Sequence, residues 1–148
     1  MSSKVRRKRL ERVQRVWEDD LARCAAALQE ARGRADVAQA HLEEARARKC
    51  AARDAKADLV RGGSADDWSV REAWLATCGV REERALMARA TADRAVAEAN
   101  AAVTVAQQKI ERLKLVLVRL ARGDADEARR AERIVDDEAA ARVSRDGS

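Results

Sequence analysis

The sequence has no proline, no phenylalanine and no tyrosine, and only 6 glycines and 3 tryptophans among 148 residues. Without proline, and with glycine so sparse, it lacks the punctuation that divides compact folds into many short elements. With 2% aromatic residues it also lacks the bulky side chains that fill a thick globular core. No apolar run approaches the roughly 18 residues of a transmembrane helix, and the basic opening is not followed by the apolar stretch of a signal peptide. The three cysteines, Cys24, Cys50 and Cys78, are odd in number and widely spaced. They suit neither a disulfide framework nor a zinc site and read as small apolar fillers of a soluble protein in the reduced cytoplasm.

Catalytic signatures are missing too. There is no phosphate-binding glycine loop, no dinucleotide fingerprint and no H-E-x-x-H, and His41 is the only histidine, with no second ligand one turn on. Most enzyme classes are thereby excluded, and no catalytic residue, metal or cofactor is expected. The many carboxylates alternate with arginines and read as solvated helix faces with i, i+4 pairing.

What is present is alanine and charge: 47% hydrophobic residues, carried largely by alanine, and 39% charged residues. Alanine fills a thin seam between helices. Steps of three and four run Leu21, Cys24, Leu28, Ala31, Ala35, Ala38, Leu42, Ala45, Lys49, Ala52, Lys56, Leu59. A second series runs Leu75, Cys78, Glu82, Ala85, Arg89, Ala92, Val96, Ala99, Val103, Ala106, Ile110, Leu113, Leu117, Leu120. A seven-residue repeat sustained this long predicts a left-handed coiled coil. Upstream, Val5, Leu10, Val13, Val16 and Trp17 continue the first stripe with a slight phase shift.

The only double glycine, Gly62-Gly63, separates the series and predicts a helix end with left-handed backbone angles. Ser64 and Ser69 compete to cap the next helix, which is expected to start between 65 and 69. The sequence therefore predicts an all-α fold, a long two-helix antiparallel coiled-coil hairpin over 1–123 with helix 4–61, turn 62–67 and helix 68–121. The two arms would span about 85 and 80 Å at 1.5 Å per residue. Gly79 falls inside the second arm as a local irregularity.

A parallel homodimer would stack Lys49, Lys56, Glu82 and Arg89 each against its own copy, whereas folding back brings Lys49 and Lys56 towards Glu82 and Glu83. A hairpin that is a monomer alone follows. After Gly123, residues 124–148 are expected to form a short polar helical extension capped by Asp124, with the last five residues disordered.

The formal net charge of +5 is unevenly spread. Residues 4–15 carry Lys4, Arg6, Arg7, Lys8, Arg9, Arg12 and Arg15 against Glu11 alone, while acids outnumber arginines beyond 123. The basic cluster reads either as a solvated helix start or as contact with phosphates or an acidic surface. The run Leu113 to Val118 is apolar on nearly all sides, so Leu115, Val116 and Val118 stay exposed unless the C-terminal segment or a partner covers them. Trp68 and Trp74 flank the turn, as caps of its bare end or as an aromatic docking point.

The basic apolar opening from Val5 to Val13, the long Gln/Ala/Glu/Arg-rich helix, the small-residue turn followed by Trp68, the second long helix and the Arg/Glu/Asp tail from Glu127 to Glu138 together resemble the FliJ/YscO family. These are stalk proteins of flagellar export and type III secretion. The resemblance implies an antiparallel hairpin on the cytoplasmic face of a bacterial export apparatus, peripheral to the membrane through partners only, with a lean to the injectisome. It also implies binding to the hexameric export ATPase, a link to the export gate and, in some members, contacts with export chaperones. Arg6, Arg7, Lys8, Arg9, Arg12, Leu115, Val116 and Val118 would then face the ATPase, and Trp68 and Trp74 the gate. Two other readings compete: a nucleic-acid-associated coiled coil using the basic end, for which the base-reading pattern is missing, and a scaffold or assembly factor not coupled to an ATPase.

Overall fold

The computed structural model describes residues 3–147. Among them there are two helices and no strand: α1, Ser3–Leu59 (57 residues), and α2, Ala65–Asp146 (82 residues), an all-α two-helix hairpin. Alanine, arginine, glutamate and leucine, the favourable helix formers, dominate both, and nothing in their interiors forces a break.

The connection is tighter than the sequence suggests. α1 closes through i→i−3 bonds from the amides of Val60, Arg61 and Gly62 to the carbonyls of Ala57, Asp58 and Leu59, each 3.2 Å, and the Gly63 amide then donates to Leu59 O at 2.9 Å. No described glycine has a positive φ, so the expected left-handed termination does not occur. Gly63 relieves crowding instead: a Cβ there would lie 2.7 Å from Leu59 Cδ2, 3.1 Å from Leu59 Cβ and 3.2 Å from Leu59 O, so the leucine side chain would have to shift. Ser64 is the cap that is used. Its Oγ accepts from the Asp67 amide at 3.2 Å and its carbonyl from the Trp68 amide at 3.0 Å, while Asp66 and Asp67 place negative charge at the positive end of the helix. Ser69 lies within α2, and the expected turn at 62–67 contracts to 60–64.

A second departure is at Gly123. The expected end at 121 and the separate extension from 124 are replaced by one unbroken α2 that reaches Asp146, so residues 144–146 are helical rather than disordered. A glycine lowers helix stability by only about 1 kcal/mol and stops a helix when its backbone turns left-handed, which Gly123 does not. Asp124, expected as a cap, accepts side-chain hydrogen bonds from α1 instead. The expected irregularity at Gly79 is likewise ordinary helix. Ser148 lies outside the described residues.

The hairpin divides into two compact units, 23–103 and 1–22 with 104–148. In the 23–103 unit every member of the two predicted series is buried or half-buried, with Leu28, Ala31, Leu42, Ala52 and Cys78 forming the core. Leu42 and Cys78 are almost completely enclosed. Cross-helix pairs fix the antiparallel sense: Lys49 Nζ lies 3.3 Å from Glu82 and Lys56 Nζ 3.9 Å from Glu72. The partner of Lys56 is thus Glu72, about three turns earlier than Glu82 and Glu83, and Arg89 pairs along its own helix with Asp93 at 3.7 Å.

In the unit formed by the chain termini, Ile110 and Leu113 are buried, and Leu10, Val13, Trp17, Leu21, Leu117 and Leu120 are half-buried. The α1 seam here keeps an unbroken three-four spacing, Ser3, Arg7, Leu10, Gln14, Trp17, Leu21, rather than shifting phase. Val5 and Val16, expected in the stripe, are therefore 50% and 56% exposed. A continuous helix cannot move two valines inward without rotating Leu10 and Leu21 out, and the larger leucines prevail. Ser3 Oγ donates to Asp124 Oδ1, and Arg7 reaches Asp124 at 3.4 Å and Glu11 at 3.9 Å.

Candidate partner-binding surfaces

The terminal unit carries the first candidate surface. Because the seam takes every third or fourth residue of α1, the intervening Arg6, Lys8, Arg9 and Arg12 are left exposed. Arg7 is the exception within the predicted cluster: it sits on the seam, half-buried and held by Asp124, and orders the start of α1. Exposed Val5 and Val16 lie one turn beyond Arg9 and Arg12 on the same strip of helix.

On α2 the seam occupies one stripe through Ile110, Leu113, Leu117 and Leu120, which leaves Leu115 60%, Val116 38% and Val118 47% exposed. The C-terminal part of α2 does not fold back over them, because it continues along the helix. Exposed Lys109, Arg112, Lys114, Arg119 and Arg122 surround these apolar side chains, against Glu111 alone. This second basic set went unnoticed in the sequence because it is diluted among apolar residues; only the helical contacts of the seam show that all five project from it. The unit thus combines uncovered aliphatic side chains with cations on both helices, a chemistry suited to an acidic protein surface with an apolar centre.

The 23–103 unit carries the second. Trp68 and Trp74 lie in the first turns of α2, 37% and 41% exposed. Neither ring is bare: Lys56 Nζ stands 4.8 Å from the Trp68 ring centre, and the Arg81 guanidinium 5.1 Å from that of Trp74. Lys56 thus serves both Glu72 and Trp68, linking the end of α1 to the start of α2. Further along the same unit, small residues at Gly33, Ala85 and Ala88 leave a shallow open groove of about 810 Å³ beside Val37 and His41. His41 is exposed at its edge, and Cys50 is the one exposed cysteine.

Among the described residues no cluster of His, Cys, Asp or Glu could hold a metal ion, and no helix is long and apolar enough to cross a membrane. No protein-family model, no curated protein and no solved structure matches the chain.

Proposed function

We propose that the protein is a stalk component of a type III protein export apparatus. It binds the hexameric export ATPase through the terminal unit and meets the export gate through the turn that carries Trp68 and Trp74. The observation that supports this reading best is the uncovered Leu115, Val116 and Val118, set among basic side chains in a unit whose own seam is already filled. A helix pair that needed only to be stiff would place polar residues there. Contacts that differ between ATPase subunit states would let the stalk bias their hydrolysis cycle, since a ligand shifts an equilibrium only by its differential affinity.

Two variants of the full chain test the reading against the export ATPase of the same organism. Leu115→Ser with Val118→Ser, and Arg6→Glu with Arg9→Glu and Arg12→Glu, are each expected to weaken binding at least about tenfold, a change of about 1.4 kcal/mol. Helix content should remain unchanged. Unaltered binding and hydrolysis with both variants would refute the assignment of this surface. Steeply salt-dependent binding to duplex nucleic acid, lost with the charge-reversed variant, would replace it by the nucleic-acid reading.

A further inference from the structure

The two helices are unequal, 57 against 82 residues, and the difference lies in α2 beyond Asp124. α1 begins at Ser3, whose hydroxyl is bonded to Asp124, so the seam of the terminal unit is covered up to that layer. Beyond it every described residue of α2 is exposed, including Ile134 at 60%, Val135 at 63% and Val143 at 73%. The stripe nevertheless continues. From Leu113, Leu117, Leu120 and Asp124 the same spacing leads to Ala128, Ala131 and Val135, with Ile134 at its flank. The face that α1 covers in one stretch is the face left bare in the next. A single helix of this length, without a packed face, is only marginally stable in water.

Charge along the bare segment is arranged in blocks. Asp126 and Glu127 come first, then Arg129, Arg130 and Arg133 with Glu132 among them, then Asp136, Asp137 and Glu138, and Arg142 and Arg145 after these. In a parallel pair of such segments each block would meet its own kind. In an antiparallel pair crossing at Ile134 and Val135, the basic block of each copy lies beside the acidic block of the other.

We infer that residues 125–146 of α2 pair antiparallel with the same residues of a second copy, extending the α1–α2 seam into a two-fold interface centred on Ile134 and Val135. The second copy packs on the stretch of the stripe that no described residue of α1 covers. This replaces the monomer expected from the charged seam positions, leaves Leu115 and Val118 outside the contact, and does not depend on the proposed role in export.

Sedimentation equilibrium of the full chain should show a monomer–dimer equilibrium. Ile134→Asp with Val135→Asp should raise the dissociation constant at least about tenfold, because each charge would be buried at the centre of the contact. Helix content in this variant would also fall if the bare segment unwinds, so cross-linking supplies an independent readout. In a Cys50→Ser background, a short bismaleimide should join Val135→Cys copies to each other. It should join Ala128→Cys to Arg142→Cys in a mixture, and leave Ala128→Cys alone unlinked. A chain that stays monomeric to about 0.5 mM, a dimer unaffected by the two aspartates, or self-linking at position 128 would each overturn the inference.

Discussion

Replacing Gly123 by alanine tests the continuity of α2 where sequence and structure disagree. A Cβ built at Gly123 meets nothing within 4 Å, and the backbone there is not left-handed, so the new methyl group brings neither clash nor strain. What remains is the propensity difference between glycine and alanine inside a helix, about 1 kcal/mol in favour of alanine. Because no described residue of α1 packs beyond the Asp124 layer, opening of the segment beyond it is governed by helix propagation through residue 123 rather than by packing. Gly123→Ala should therefore slow amide exchange just beyond the substitution about fivefold, the factor that 1 kcal/mol represents. It should raise ellipticity at 222 nm slightly and leave exchange around Leu42 unchanged. Exchange that is unaltered or faster beyond 123, with an abrupt loss of protection at that residue in the parent chain, would show that the helix breaks there after all.

Two further substitutions probe the seam of the 23–103 unit. Leu42→Ala removes a completely enclosed side chain, and because neighbouring seam positions are alanines that let the helices close up, the loss should fall at the lower end of the usual range. About 2–3 kcal/mol is expected from urea unfolding, and a loss below about 0.5 kcal/mol would mean that Leu42 is not core. Glu82→Ala should cost about 1 kcal/mol by leaving Lys49 half-buried and unpaired, while Lys49→Met with Glu82→Leu should regain the parent stability. A double variant as unstable as Glu82→Ala alone would show that the pair contributes more than mutual neutralisation.

Much of this architecture is legible from three-four spacing alone, because a seam between two helices is a one-dimensional object written directly along the chain. Every residue from Leu21 to Leu59 and from Leu75 to Leu120 in the two series takes the place that its position dictates. The errors arise where hydrophobicity was followed in preference to phase. Val5 and Val16 looked like core and are outside, whereas Arg7, expected in the exposed basic cluster, lines the seam with Ser3 and Gln14. Gly123 misled for a related reason: glycine permits a helix end but does not command one, and only the backbone angle distinguishes the two. The cations over Trp68 and Trp74 were beyond reach, since they depend on which rotamer each long side chain adopts once the helices have met. The exposed aliphatic run at Leu115, Val116 and Val118 was visible in advance as an excess over the single stripe that a helix pair can hide.

The alanine seam bears on how one helix is kept from sliding along the other. Alanine loses no side-chain rotamer entropy when it is enclosed, so ordering such a seam costs little beyond the backbone. Its methyl group is also a shallow knob, and a heptad-long displacement would exchange alanine for alanine at Ala31, Ala38 and Ala45 of α1 and at Ala85 and Ala92 of α2. Axial alignment in the 23–103 unit therefore falls to a few distinctive layers: Leu28, Leu42, the Lys49–Glu82 pair, and Lys56 held between Glu72 and Trp68. The short link from Val60 to Ser64 adds a covalent stop close to the last of these. Slippage is resisted at discrete latches along an otherwise smooth track.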